Sequence, residues 1–407
     1  MEYPLTDLTG EQRELCGAAR RFAVDVLRPA GIEVDRMPAD AVVAPGSPLF
    51  RVLREAAGLG YTKLGGHPEF GGMGLPPLTR YLVLEELAWG SVGLTGVMFL
   101  SSTHAETALL SGNPALIDEF TRPYFACQDG SVIGCWAITE PDHGSDTLGP
   151  MRPELNVKTP GQLVARRDGD HWILSGQKSA WVSNGPIATH AMLNVQLDPK
   201  GTMGDSGVCL LRLDLPGISR GPALEKHGLR SLPQGELFFD DVRMPAQNMV
   251  LQSDVYALYM HNHLSAFNAG VGCIATGLAR AAYECAVSYC KERIQGGRPI
   301  FEHQSVRARL FRMFCLVQSC FALSRDAWVY NMTQIQQGAQ ARLELSIGSK
   351  VYCTQAALEV ATLAVQLHGG NGMTREYPVE MFLRDAAALT IADGENAFLT
   401  QIAASLL

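Results

Sequence analysis

Trp136-Ala137-Ile138-Thr139-Glu140-Pro141-Asp142-His143-Gly144-Ser145-Asp146 is the stretch around which the rest of the chain reads. An apolar, β-rich run that starts at Val132 breaks here into a turn carrying Glu-Pro, Gly144 and the hydroxyls of Thr139 and Ser145. Glycine and proline set such a turn, and backbone N–H groups and small hydroxyls can then converge on one ligand. The surface suits a planar cofactor with polar edges.

At 407 residues, with 47% apolar and 18% charged side chains, the chain can bury a large core divided into two or three regions. A net charge of -8 argues against nucleic acid or an anionic membrane as the principal partner, because either favours a basic patch and no basic run is present. No apolar run approaches the roughly 20 residues that span a bilayer. Met1-Glu2-Tyr3-Pro4 opens no positive region followed by an apolar stretch, so a cytoplasmic protein is expected. Ten cysteines are scattered without a Cys-x-x-Cys pair, which points to free thiols and away from disulfides or a metal site.

Around the opening stretch the hydrophobic period changes twice. Thr9-Gly10-Glu11-Gln12 is a capping box, followed by Leu15, Ala19, Phe22 and Val26 at helical spacing up to Pro29, which is expected to end the helix. Further helices are expected over 49–57, from Pro77 onward, and through the small residues of 93–102. From Val132 the period becomes alternating. The segments 163–166, 171–175, 191–197, 208–215 and 236–242 read as short antiparallel strands of a small barrel or sandwich, with 151–161 an irregular excursion. After Pro245 long helical patterns return over 254–293, 304–337 and 341–367, then a final short pair. Apolar residues on more than one face of these helices suggest a bundle that also buries surface against another copy of itself.

Four more stretches carry chemistry or connection. Gly176-Gln177-Lys178-Ser179-Ala180-Trp181-Val182-Ser183-Asn184-Gly185 sets an indole beside a small hydroxyl residue, on what is expected to be a strand. A flavin ring can pack on such a surface while Ser183 donates to a ring nitrogen. Leu224-Glu225-Lys226-His227-Gly228-Leu229-Arg230-Ser231 and the segment 236–245 lead from the strands into the bundle and read as structural. Arg293-Ile294-Gln295-Gly296-Gly297-Arg298-Pro299-Ile300-Phe301-Glu302-His303-Gln304 joins a helix end to a helix start through a Gly turn, with a guanidinium that matches phosphate oxygens. Gln366-Leu367-His368-Gly369-Gly370-Asn371-Gly372 puts three glycines after a helix, where backbone N–H groups can approach an anion or simply close the helix.

In this order the five stretches resemble the acyl-CoA dehydrogenase family over nearly the whole chain. The resemblance implies an α+β, mostly α fold: a helical N-terminal domain (1–130), a central β-barrel (131–246) and a C-terminal four-helix bundle (247–407). It implies FAD as cofactor, held by Trp136, Ile138, Thr139, Gly144 and Ser145, with Trp181 and Ser183 lining the isoalloxazine. Arg293, Gln304, Gln366, Gly369 and Gly370 would contact FAD across a subunit interface of a homotetramer or homodimer. Gly296 departs from the family, which usually has an aromatic residue there. Phe99 and Ser145 are placed in the substrate pocket, where an aromatic side chain suits a short or medium acyl chain.

The same resemblance puts the catalytic base nine residues after the arginine of Arg384-Asp385, where the family commonly has glutamate and this chain has Asp393. Aspartate is a competent base one methylene shorter. Its other reading is an N-cap for the last helix, and Glu395 is a second carboxylate. The alternative base position aligns with Phe267, beside Asn268, and holds no acid. The implied reaction is α,β-dehydrogenation of an acyl thioester, on CoA or an acyl-carrier protein. Asp393 removes the α-proton, hydride goes to flavin N5, and electrons pass to an electron-transfer flavoprotein. Aspartate at this position also resembles the nitroalkane oxidase branch of the fold, and a non-catalytic partner subunit of a heteromeric dehydrogenase is a third alternative. His104 and His303 are expected at the surface or as caps.

Overall fold

The computed structural model describes residues 8–149 and 159–407. The chain opens in helix α1 (Gly10–Phe22), whose capping box forms as expected: Gln12 N donates to Thr9 Oγ1 at 3.2 Å and Thr9 N to Gln12 Oε1 at 3.0 Å. Pro29 does not end this helix. Residues Ala23–Leu27 widen into a π-turn, and the helical path resumes as α2 (Arg28–Asp35) with Pro29 in its first turn, where no backbone N–H is required. Then come α3 (Pro48–Gly58), α4 (Pro77–Gly90), α5 (Val92–Ser101) and α6 (Thr103–Leu110), with shorter helical turns between and after them.

The middle of the chain forms β1 (Gly134–Ala137), β2 (Val164–Asp168), β3 (His171–Lys178), β4 (His190–Gln196), β5 (Ser206–Arg212), β6 (Ile218–Arg220), β7 (Leu237–Pro245) and β8 (Met249–Leu251). They make one sheet in the order β6-β7-β3-β2-β4-β5-β8, with β1 alongside β4. Two pairings correct the all-antiparallel expectation: β1 and β2 both run parallel to β4. A parallel partner needs a crossover rather than a hairpin, and β3 lies in the chain between β4 and each of these two partners. The expected excursion over 151–161 falls largely outside the described residues.

Alternation along the strands decides what each side chain meets. Cys135 and Ala137 of β1, Leu193 and Val195 of β4, Cys209 and Leu211 of β5 and Phe239 and Val242 of β7 share one apolar cluster, so the sheet curls around a core of its own. The odd-numbered positions of β1 and β4 thus serve the sheet. Trp136, Met192, Val208 and Leu210, on the other face, belong to the helical core.

The bundle follows: α7 (Ser253–Glu292), a tight hairpin, α8 (Gln304–Gln336), α9 (Leu343–His368), α10 (Val379–Leu389) and α11 (Asn396–Ala404). Its helices share a single core with the N-terminal ones, in which Phe22 and Leu87 join Leu278, Phe321 and Val360. Buried Arg280 of α7 ties the two regions by a bidentate pair with Glu85 of α4, at 2.8 and 2.6 Å. His104 corrects the expectation of a surface residue: it is fully buried and stacked on His190 at 4.8 Å. The apolar spacing of α6 carries it inward despite its polar ring.

Candidate active site

Glu140 of the opening stretch is a structural pin. Its carboxylate accepts from buried Lys178 Nζ at 2.7 Å, from Leu163 N at 3.1 Å and from Gln162 N. Burial pushes this carboxyl up, but the ammonium and the two amides outweigh it and hold its pKa below the ordinary carboxylate value. Lys178 also donates to the Ile138 carbonyl at 3.1 Å. The turn is thereby nailed to β3. Beyond it, Asp146 accepts from Gly144 N at 2.6 Å and contacts His143 Nδ1 at 2.7 Å. Gly144 is exposed with nothing near the position of a Cβ, so its backbone lies open to a ligand.

Thr139 and Ser179 share a 2.7 Å hydroxyl pair at the rim of this turn. Trp181 lies past the end of β3, in a turn rather than on the expected strand, and its side chain is 60% exposed. An exposed indole beside small hydroxyl groups offers a flat apolar face with polar edges. Ser183, half-buried, receives a hydrogen bond from Gln234 Nε2 at 3.1 Å. Ile138 is half-buried beside Thr139. Trp136 goes the other way. Strand alternation turns its indole into the helical core, where Nε1 donates to Asn194 Oδ1 at 2.8 Å and the ring meets His263 at 4.5 Å and Phe267 at 4.9 Å. Its side chain is thus a wall between sheet and α7.

The segment from Thr390 to Asn396 meets this turn. Ser145 Oγ accepts from Glu395 N at 3.0 Å. Glu395, not Asp393, caps α11, accepting from Ala397 N at 2.9 Å and Phe398 N at 3.0 Å. Those amides lower its carboxyl pKa. The N-cap reading of Asp393 therefore fails. Asp393 stands one turn earlier in the left-handed region, at φ 51°, half-buried, and makes no hydrogen bond or ion pair among the described residues. Burial pushes its carboxyl up to about 6, against the pull of Lys350 on α9. An unbonded carboxylate with a pKa just below neutrality is the state a general base requires.

Phe267 and Asn268, at the alternative base position, are both buried and offer no acid. Phe99 of α5 packs against Phe267 at 5.3 Å, and a Cβ on Gly270 would lie 2.6 Å from its ring. The glycine makes room for the aromatic side chain between α5 and α7. On the far side of Phe99 is a small cavity lined by Thr95, Met98, Arg80 and Glu106.

Arg293, Gln304, Gln366, Gly369 and Gly370 gather at one end of the bundle, all exposed. Tyr289 of α7 stacked on His368 of α9 at 4.1 Å brings the helix ends together. They share no hydrogen bond or ring contact with the Thr139–Ser145 turn among the described residues. Gly369 and Gly370 face open space, whereas a Cβ on Gly372 would strike the Val365 carbonyl at 2.4 Å, marking that glycine as a packing requirement. The departure at Gly296 has a backbone reason. Ile294–Gln295 and Arg298–Pro299 form a two-residue hairpin whose central Gly296 and Gly297 have φ 62° and 79°, a turn that disfavours an aromatic residue.

Sequence reasoning passed over Lys178, Lys350 and Asn396. The signal for the first two was a lysine in otherwise small or apolar surroundings; Asn396 carried none. The family descriptions that fit it are acyl-CoA dehydrogenase, N-terminal domain, over 9–126, middle domain over 135–242 and C-terminal domain over 258–407. Cyclohex-1-ene-1-carbonyl-CoA dehydrogenase of Syntrophus aciditrophicus is 32% identical over 396 residues, covering 96% of this chain and 88% of its own. Butyryl-CoA dehydrogenase from Megasphaera elsdenii superposes with a TM-score of 0.85 at 26% identity, covering 100% of this chain and 99% of its own. A chain from a structure described as the electron transferring flavoprotein of Acidaminococcus fermentans gives 0.84 at 26%, covering 99% of each. Matched from the first helix to the last, and with its sheet between two helical regions that share a core, this chain is an oxidoreductase that belongs to the acyl-CoA dehydrogenase family.

Proposed function

We propose that the protein oxidises an acyl-CoA across its α and β carbons, with Asp393 as the base that takes the α-proton. The observation that carries this reading is the unbonded Asp393 carboxylate, held in a left-handed turn and pushed up to about 6, with its neighbour Glu395 spent on a helix cap. FAD is the cofactor, and when bound it supplies the two-electron acceptor. The residues present fit it: open backbone at Gly144, hydroxyls at Thr139 and Ser145, and the exposed face of Trp181.

The chain's own part in the reaction is positional and acid–base. Ser145 fastens the base segment to the turn beneath the ligand. Asp393 accepts the proton, and the aromatic wall of Phe99, Phe267 and Trp136 excludes water from the acyl end. That wall favours a short or compact acyl group. Arg293, Gln304, Gln366, Gly369 and Gly370 would reach the cofactor of a second copy. The exposed apolar residues of α8 and α9, Phe311, Tyr330 and Tyr352 among them, support a homotetramer or homodimer. An electron-transfer flavoprotein is the acceptor this reading assigns.

The test is anaerobic. Purified yellow protein is mixed with a panel of short acyl-CoAs, acyl-carrier thioesters and nitroalkanes, with Asp393→Asn in parallel. Bleaching by an acyl-CoA in the wild type and not in the variant is expected. Bleaching by nitroalkanes alone would transfer the assignment to a nitroalkane-oxidising enzyme, and no bleaching without a co-expressed paralogue would indicate a partner subunit.

A further inference from the structure

Lys350 is fully buried on α9, in the small-residue stretch Ser346-Ile347-Gly348-Ser349. Its ammonium donates to the Gly394 carbonyl at 2.6 Å, to Asn396 Oδ1 at 2.7 Å and to the Thr390 carbonyl at 3.3 Å. These three acceptors flank Asp393 on both sides, and none of the three bonds goes to its carboxylate. Asn396 donates onward to Thr354 Oγ1 at 3.0 Å, and Asn396 N closes the segment on the Thr390 carbonyl at 3.1 Å. The segment so held contains consecutive positive-φ residues, Asp393 at 51° and Gly394 at 104°. For aspartate that conformation is uncommon and persists when its surroundings over-determine it.

We propose that Lys350 is a positioning residue for the base: it fixes the 390–396 segment in the turn that presents Asp393, and supplies the positive field in which that carboxylate works. The proposal rests on the reading of Asp393 as the base. The charged groups around Asp393 divide clearly. From α9 comes Lys350. On its own segment Glu395 is turned to the start of α11, and from the turn across the site Asp146 is engaged by Gly144 N and His143. Lys350 thus spends its hydrogen bonds on neutral acceptors, leaving its charge uncancelled by a direct carboxylate partner. Burial lowers its own pKa to about 8, with Asp393 and Glu395 pulling the other way, so it is mainly charged at neutral pH.

The test uses the whole flavin-loaded protein and a readout that needs no substrate. Melting temperatures of the wild type and Asp393→Asn are compared from pH 4 to 9. The gap grows between the unfolded carboxyl pKa, 3.8, and the folded one, about 6, and levels off there, so its midpoint follows the native titration. The comparison is repeated with Lys350→Met in both. Removing the cation is expected to raise the native pKa by about one unit, which moves the midpoint of the gap up by about half a pH unit and widens the gap. It is also expected to slow flavin reduction by butyryl-CoA by about tenfold or more, with little change in the concentration needed for half-maximal reduction. An unmoved midpoint, or an unchanged reduction rate, overturns the proposal while leaving the base assignment standing on the inactivity of Asp393→Asn. If Asp393→Asn reduces its flavin normally, the base reading falls and the proposal with it. Should Lys350→Met not fold, Asn396→Asp places a carboxylate on the ammonium with the same shape; the midpoint is again expected to rise, and a stationary one overturns the proposal.

Discussion

Glu140 and Asp393 are carboxylates on two loops that touch through Ser145 and Glu395, and they are held in opposite ways. Glu140 is buried with a lysine and two backbone amides on its oxygens. Asp393 has no hydrogen bond among the described residues, and its lysine binds the backbone around it instead. Every acceptor site filled lowers a carboxylate's appetite for a proton; every one left open preserves it. The first loop is therefore pinned and the second presents the carboxylate proposed as the base, and the difference lies in where each lysine spends its donors.

Several changes would break or sharpen that contrast. Asp393→Asn removes the proton acceptor without changing shape, and flavin reduction by an acyl-CoA is expected to fall by about 10²–10⁴-fold in stopped-flow measurements. The same variant is expected to melt at or above the wild-type temperature at pH 8. The folded-state pKa lies above the unfolded 3.8, so ionising Asp393 costs stability as pH rises through about 6, and asparagine escapes that cost. For the wild type the reduction rate should climb as pH passes through about 6 and level off above it.

Glu140→Gln attacks the platform. It leaves the Lys178 ammonium buried without its counter-charge, and denaturant unfolding should show a loss of about 3–5 kcal/mol, accompanied by flavin release. A variant as stable as the wild type would mean the turn is not held by this pair. Ser145→Ala removes the hydrogen bond that, among the described residues, joins the two loops, costing about 1 kcal/mol and slowing reduction severalfold with Glu140 and Asp393 both intact. Least disruptive is Phe99→Ala, which opens space beside Gly270. It should shift the preferred acyl-CoA toward longer or bulkier chains in a substrate panel while leaving the pH profile in place.

Much of the fold was legible from periodicity. The capping box at Thr9 formed, the three long bundle helices begin and end within a few residues of their patterns, and the five segments read from alternation fall on β2, β3, β4, β5 and β7, while the three-residue β6 and β8 were too short to show it. Misses occurred where a local signal has two outcomes. Pro29 both stops helices and starts them, and the π-turn before it chose the second. Which way the Trp136 side chain faces had no local signal at all, because the open face of a strand depends on what packs against it, and here α7 covers the indole. Asp393 was the cap candidate on paper and Glu395 a second carboxylate; the geometry of the α11 start gave the cap to Glu395.

The sequence by itself determined the order of helices, sheet and bundle, the glycines at Gly144, Gly369 and Gly370 where a backbone must lie open, and the family these motifs resemble. Such properties are carried by period and by residues whose conformational range is intrinsic. Tertiary structure alone decided which carboxylate stays free. Lys350 is 44 positions from the Gly394 carbonyl that it binds, and Lys178 is 38 from Glu140. A pKa is set by desolvation and by charges nearby in space, and proximity across such separations exists only once the chain has folded.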